Sequence, residues 1–152
     1  MSDIQVGIIG GSFSPPHLGH LMLGIYALHK FKLDQVWYVP SYSHPEKNSH
    51  LYTYLERCEM LNLMVKKHPS LQVSTIESQL DTDKTYTYLL FTQLFKKYPT
   101  HNFSLIIGDD LQESIKRWYQ YHNLIAIAKI HVIPRQFCVS SISSTQVRKM
   151  IE

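Results

Sequence analysis

Apolar positions in this chain fall into short β-branched runs separated by stretches of helical spacing. Residues 4–9, Ile-Gln-Val-Gly-Ile-Ile, read as a first strand. Leu18, Leu21, Ile25 and Leu28 recur at helical intervals and predict a helix over residues 17–31. Residues 35–39 read as a second strand closed by Pro40, and residues 41–50, rich in Ser, His, Pro and Asn, as loop. Leu51, Leu55, Cys58, Leu61 and Val65 predict a second helix that stops near Pro69. Residues 71–74 form a short third strand, followed by a polar connection over 77–84. Tyr86, Leu90 and Leu94 mark a third helix ended by Pro99. Residues 103–107 are a fourth strand with Gly108 at its carboxyl end. Short helices are expected over 109–118 and 121–126, a fifth strand over 129–133, and a last helix after Ser143.

Strands alternating with helices of these lengths imply βαβ units and a parallel sheet. Right-handed crossovers then place helices on both faces. The expected architecture is a Rossmann-like, doubly wound α/β sheet of about five strands, with the ligand beyond the carboxyl ends of the strands where their order reverses. The loop after the first strand, the segment after Pro40, Gly108 and the residues after 133 all fall on that edge.

Composition narrows the picture. At 152 residues the chain suits a single domain spanning 1–152. A formal net charge of +3 is too small to suggest a nucleic-acid groove. The pairs Lys66-Lys67 and Lys96-Lys97 sit at expected helix ends, where cations complement the helix dipole. Cys58 and Cys138 lack metal-site spacing, and a reduced compartment fits them. No apolar run approaches the roughly 18 residues of a membrane span, and no charged-then-apolar leader precedes the first strand. The expectation is a cytoplasmic protein.

The chemistry concentrates in two segments. The first is Gly10-Gly11-Ser12-Phe13-Ser14-Pro15-Pro16-His17-Leu18-Gly19-His20. A strand, a glycine-bearing loop and a helix N-terminus form a place to hold phosphate. His17 and His20 share one face of the first turn, and Gly19 between them leaves the backbone open to a ligand. No Asp or Glu lies in this loop, so the histidine pair reads as phosphate contacts rather than a zinc site. The second is Ser141-Ile142-Ser143-Ser144-Thr145-Gln146-Val147-Arg148. Ser143 and Gln146 have capping-box spacing, Ser144 and Thr145 offer donors, and Arg148 lies one turn further in. Two donor-rich helix N-termini suggest one polyphosphate held between them.

These two segments resemble the end motifs of the nucleotidyltransferase superfamily of adenylyl- and cytidylyltransferases. Thr85-Tyr86-Thr87, Ile106-Ile107-Gly108-Asp109-Asp110, Trp118-Tyr119, Val39-Pro40, His44-Pro45-Glu46-Lys47 and Arg57-Cys58-Glu59-Met60 are similar to the bacterial nicotinate mononucleotide adenylyltransferases. The resemblance implies a single nucleotidyltransferase domain over 1–152. It also implies a reaction in NAD biosynthesis: ATP plus nicotinate or nicotinamide mononucleotide gives the dinucleotide and pyrophosphate, by in-line attack on the α-phosphate. Mg²⁺ would bridge the phosphate oxygens of ATP, without a dedicated protein metal site. Within the same fold, a pantetheine-phosphate adenylyltransferase or a small cytidylyltransferase is the alternative. A catalytically impaired nucleotide-binding protein is another.

The resemblance also implies roles. His17, His20 and Arg148 would be catalytic. Gly10, Gly11, Ser12, Phe13, Gly19, Gly108, Asp110, Ser143, Ser144 and Thr145 would line the ATP site with them. Trp118 would stack on the pyridine ring, with Thr87 and the backbone of Tyr119 at its carboxylate or amide, and Thr85 would also bind substrate. Lys47 and Arg135 would be cations near the mononucleotide phosphate and Arg57 a further substrate-binding residue, although Lys47 also reads as a solvated loop lysine and Arg57 as a surface helix residue. The chain departs from the family at Ser14, where an Asp is usual, at Leu89, where an acid is usual, and in a shorter stretch between Arg135 and Ser141. Membrane and nucleic-acid partners are not expected; oligomeric state and the choice between nicotinate and nicotinamide are open.

Overall fold

The computed structural model describes residues 3–42, 52–80 and 86–134. Strands β1 (Ile4–Gly11), β2 (Gln35–Pro40), β3 (Leu71–Val73), β4 (His101–Gly108) and β5 (Lys129–Ile133) form one parallel sheet in the order β3-β2-β1-β4-β5. Successive strands step outward from β1 on one side, and β4 and β5 fill the other. The order therefore reverses between β1 and β4, and a crevice opens there beyond their carboxyl ends.

The strands are apolar on both faces because both are covered. Val6, Ile8, Trp37, Val39, Phe103, Leu105 and Ile107 point to one side. There they meet Leu90, Phe91 and Leu94 of helix α3 (Thr87–Lys97) and Leu124 of helix α4 (Tyr121–Ile127). Ile9, Val36, Tyr38 and Ile106 point to the other side. They meet Ala27 of helix α1 (Leu18–Lys30) and Leu61 and Val65 of helix α2 (Tyr54–Val65). This division follows the period-2 alternation of side chains along a strand.

Three expectations change in detail. Helix α2 begins at Tyr54, because Thr53 and Glu56 form a capping box: Glu56 N–H donates to Thr53 Oγ1 at 3.1 Å and Thr53 N–H to Glu56 Oε1 at 2.9 Å. Leu55 is not a core position; it is 67% exposed, and the buried stripe runs through Arg57, Cys58, Leu61 and Val65. The expected helix over 109–118 is two 3₁₀ turns, Asp109–Leu111 and Ser114–Arg117. These shorter turns carry Ile115 into the core and leave Trp118 at the crevice. Residues 77–84 were expected as connection alone, and Ile76–Gln79 is a further 3₁₀ turn. The helix expected after Ser143 lies outside the described residues.

Candidate functional site

Strand β1 ends at Gly10 and Gly11, which pair with Val39 and Pro40 of β2. Past them the chain turns at Phe13, whose φ of 53° is a left-handed backbone that a bulky side chain adopts only when its surroundings compensate. Compensation comes from burial: Phe13 is 3% exposed and packs into the core beneath α1. Its ring lies under Gly11, where an added Cβ would sit 3.3 Å from Phe13 Cζ. The apolar ring thus anchors the loop, and Ser12, Gly10 and Gly11 stay exposed above it.

Helix α1 begins with a capping box built from two histidines. His17 is the N-cap, and its Nδ1 accepts the Gly19 N–H at 3.1 Å. His20 reaches back, and its Nδ1 accepts the His17 N–H at 3.0 Å. The rings stack with centroids 3.9 Å apart, and the edge of His20 meets Phe13 at 4.9 Å. A ring nitrogen that accepts an N–H carries no proton, so both neutral imidazoles hold theirs on Nε2. Burial lowers the His17 pKa. Burial first, and then the neighbouring His17, push His20 down to about 3. The pair is therefore neutral near pH 7, with two Nε2–H donors.

This arrangement corrects one expectation. The backbone amides of the α1 N-terminus are not the main free anion donors. The Gly19 N–H is taken by His17 Nδ1, and those of His20 and Leu21 donate to His17 O at 2.9 and 3.3 Å. The imidazoles occupy the His17 and Gly19 amides, the His17 carbonyl takes the next two, and each ring presents its Nε2–H in their place. Gly19 itself is buried in the first turn.

The crevice beside this loop is a cavity of about 280 Å³. Gly10, Gly11, Thr87, Gly108, Leu111 and Trp118 line it, together with Glu77. A second recess of about 380 Å³ adjoins it through Thr87 and Trp118, and adds Tyr86, Arg117 and Tyr119. Tyr119 is 46% exposed and stacks on Tyr86 with centroids 4.5 Å apart. Two wall residues had no role assigned from sequence: Tyr86, although it lies within the Thr85-Tyr86-Thr87 segment, and Glu77, which belongs to no motif. Asp110 is exposed and folds back over Gly108, where its Oδ1 lies 2.6 Å from the position a Cβ would take. A larger opening, about 400 Å³, lies beside β3 and the end of α3, with Gln72, Lys97 and His101 in its wall. It contains none of the expected site residues.

Arg57 requires a correction. It is 1% exposed, and so is neither a surface residue nor open to a mononucleotide. Its guanidinium donates to the carbonyl oxygens of Ser12, Ser41 and Tyr52. Ser14, where the family carries Asp, accepts the Tyr52 N–H at 3.3 Å through its hydroxyl. Lys47, Thr85, Arg135, Ser143, Ser144, Thr145 and Arg148 lie outside the described residues.

The structure thus brings His17, His20, Gly10, Gly11, Gly108, Thr87 and Trp118 to one sheet edge. A nicotinate-nucleotide adenylyltransferase of Bacillus subtilis is 32% identical over 132 residues, covering 86% of this chain and 69% of that protein. A protein named as a probable nicotinate-nucleotide adenylyltransferase in Oceanobacillus iheyensis is 34% identical over 121 residues, 80% of this chain. The chain spans 63% of that relative's length and 64% and 65% of two others bearing the same name. The fold matches a solved Plasmodium falciparum nicotinic acid mononucleotide adenylyltransferase complexed with NaAD. The TM-score is 0.68 at 16% identity, over 95% of this chain and 89% of that one. The cytidylyltransferase-like family model matches residues 8–150, and the chain belongs to that family.

Proposed function

We propose that this chain transfers the adenylyl group of ATP to nicotinate or nicotinamide mononucleotide. The observation that carries the reading is the paired histidine cap on the loop after β1, whose Gly10 and Gly11 line a cavity walled by Trp118 and Thr87. A phosphate oxygen of the mononucleotide attacks the α-phosphorus in line. The new O–P bond forms as the bond to the bridging oxygen of pyrophosphate breaks, and pyrophosphate leaves with that electron pair. Such a reaction asks the protein for position and charge stabilisation more than for covalent chemistry.

The Nε2–H groups of His17 and His20 suit that task. They are held by backbone bonds, need no protonation change, and can donate to phosphate oxygens as negative charge shifts toward the leaving group. Trp118 offers a flat apolar face to a pyridine ring, and Thr87 a hydroxyl near it. The resemblance assigns the departing β and γ phosphates to Ser144, Thr145 and Arg148. It places Lys47 and Arg135 at the mononucleotide phosphate. Mg²⁺ would enter as the counter-ion of ATP, held by phosphate oxygens, which suits a loop without carboxylates. Relatives bearing the adenylyltransferase name support this reading. No helix among the described residues is long and apolar enough to cross a membrane. The bacterial relatives that carry the adenylyltransferase name support a cytoplasmic reaction.

The test is incubation with ATP, Mg²⁺ and each mononucleotide in turn, with detection of dinucleotide and pyrophosphate. Turnover of either mononucleotide supports the proposal. Absence of turnover with both sinks it, and product with phosphopantetheine or CTP would redirect it within the family.

A further inference from the structure

Arg57 carries a charge into the interior with an unusual set of partners. Its Nη1 donates to Ser12 O and Ser41 O, each at 2.9 Å, and its Nε to Tyr52 O at 3.2 Å. Among the described residues no carboxylate lies within salt-bridge distance of it. A buried guanidinium held by backbone carbonyls is costly unless every donor it offers is used well. The three carbonyls belong to three separate pieces of chain. Ser12 sits in the loop after β1, Ser41 follows β2, and Tyr52 leads into α2.

Arg57 occupies the fork where β1 and β2 part. Their last contact is the Ser41 N–H donating to Gly11 O at 2.9 Å. Just beyond it, Nη1 takes the carbonyl of Ser41 itself and that of Ser12, the residue after Gly11. A second tie runs in parallel, from the Tyr52 N–H to Ser14 Oγ. The Tyr42 N–H is in turn held at 3.0 Å by Glu77 Oε1, a wall residue of the cavity.

Holding the Ser12 carbonyl has a consequence across the same peptide. In a trans peptide, C=O and N–H point to opposite sides. With Ser12 O turned toward the buried guanidinium, the Phe13 N–H points away from it. That N–H donates to no protein acceptor among the described residues. Arg57 thereby orients a free amide in the loop assigned to phosphate.

We infer that Arg57 is a positioning residue that mechanically couples the ATP loop to the chain segments on either side of the loop after β2. It touches neither substrate; it sets where the loop after β1 stands relative to Ser41 and Tyr52. This rests on reading the loop after β1 as the ATP site.

Arg57→Lys tests it, because an ammonium keeps the charge but cannot serve three carbonyls in a fork. Binding of a non-hydrolysable ATP analogue and of nicotinate mononucleotide is measured by calorimetry, beside the thermal midpoint. In a folded variant both affinities fall by about tenfold, the scale of one charge-assisted hydrogen bond. Loss of mononucleotide affinity alone would mark a direct contact and overturn the inference, as would two unchanged affinities. A second measurement needs no variant, should Arg57→Lys fail to fold. Hydrogen exchange of the wild-type chain with the ATP analogue alone should slow at Tyr42 and Tyr52 as well as at Phe13. Protection confined to the loop after β1 overturns the coupling. Both ATP measurements stand without the mononucleotide, so failure of the proposed reaction is distinguishable from failure of this inference.

Discussion

The hydroxyl of Tyr38 donates to the carbonyl oxygen of His20 at 2.6 Å, across the space left by the absent side chain of Gly24. A Cβ at Gly24 would collide with that hydroxyl and lie 2.9 Å from Tyr38 Cζ. The Tyr38 ring also meets the edge of Phe13 at 5.8 Å, and Phe13 meets His20. One core residue of β2 thus supports both the backbone of a candidate catalytic histidine and the ring that anchors the loop before it.

Removing the hydroxyl should cost little and crowding it should cost more. Tyr38→Phe is expected to lower stability by about 1 kcal/mol, the net value of one hydrogen bond. Gly24→Ala should lower it by about 1–3 kcal/mol through overpacking. Urea denaturation of both variants and of the double variant checks this. The Gly24→Ala cost should shrink in the Phe background, because part of the collision is with the oxygen. Strict additivity would contradict the contact.

The two nitrogens of His20 have separable duties. His20→Asn places an acceptor where Nδ1 was and should keep the cap, while offering nothing at the position of Nε2. His20→Gln reaches toward the Nε2 position but gives up the cap geometry. Turnover should fall about 10²–10³-fold in the Asn variant, the scale of losing a donor to developing charge. Its stability should stay close to wild type. The Gln variant should show the opposite bias, with about 1 kcal/mol of capping stability lost. Steady-state kinetics beside thermal melts would decide, and equal kinetic losses in both variants would contradict the division.

The pH dependence follows from the buried, neutral state of His20. Its folded pKa, about 3, lies below its ordinary value of 6.5. Between those two values the unfolded chain binds the extra proton and the folded chain does not. Stability contributed by this site is therefore fully present above pH 6.5 and is lost as pH falls toward 3. Denaturation at pH 7 and pH 5 should show wild type losing more stability than His20→Asn. The profile of kcat/KM, which reports the free enzyme, should show no limb near 6.5 from His20. A limb there that disappears in His20→Asn would contradict the assignment.

Trp118 belongs to both the core margin and the cavity wall. Trp118→Phe keeps an aromatic ring but reduces its face. The mononucleotide KM should rise about threefold to tenfold, in line with about 0.5–1.5 kcal/mol of ring contact. The KM for ATP should change little. A matching rise for both substrates would move Trp118 from the pyridine site to general packing.

The architecture was legible because strand and helix periodicities are local properties. Apolar runs of residues 4–9, 35–39 and 103–107 all became central strands, since each must bury two faces. The histidine loop was legible for the same reason: Gly10, Gly11, His17 and His20 lie within eleven consecutive residues. Leu55 was misread because a helical stripe through Leu51, Leu55 and Cys58 is nearly indistinguishable by spacing from the one through Tyr54 and Cys58. The Thr53–Glu56 box was present in the sequence and would have set the start of α2.

By itself the sequence determined the order of elements, the sheet edge that carries the loops, and the residue types available for binding phosphate. Tertiary structure alone decided what those residues do. Arg57 reads as a cation for substrate until the carbonyls of Ser12 and Ser41, from distant segments, and of Tyr52, just before its own helix, converge on it. Tyr38 reads as a core residue until Gly24 lets it reach His20. The histidines read as two equal ligands until the cap assigns Nδ1 of each to the backbone and leaves Nε2 as the remaining ring donor. The physical reason is the same in each case. Periodicity fixes which way a side chain points along its own element, but its partners are chosen by burial, which must satisfy every polar group it removes from water.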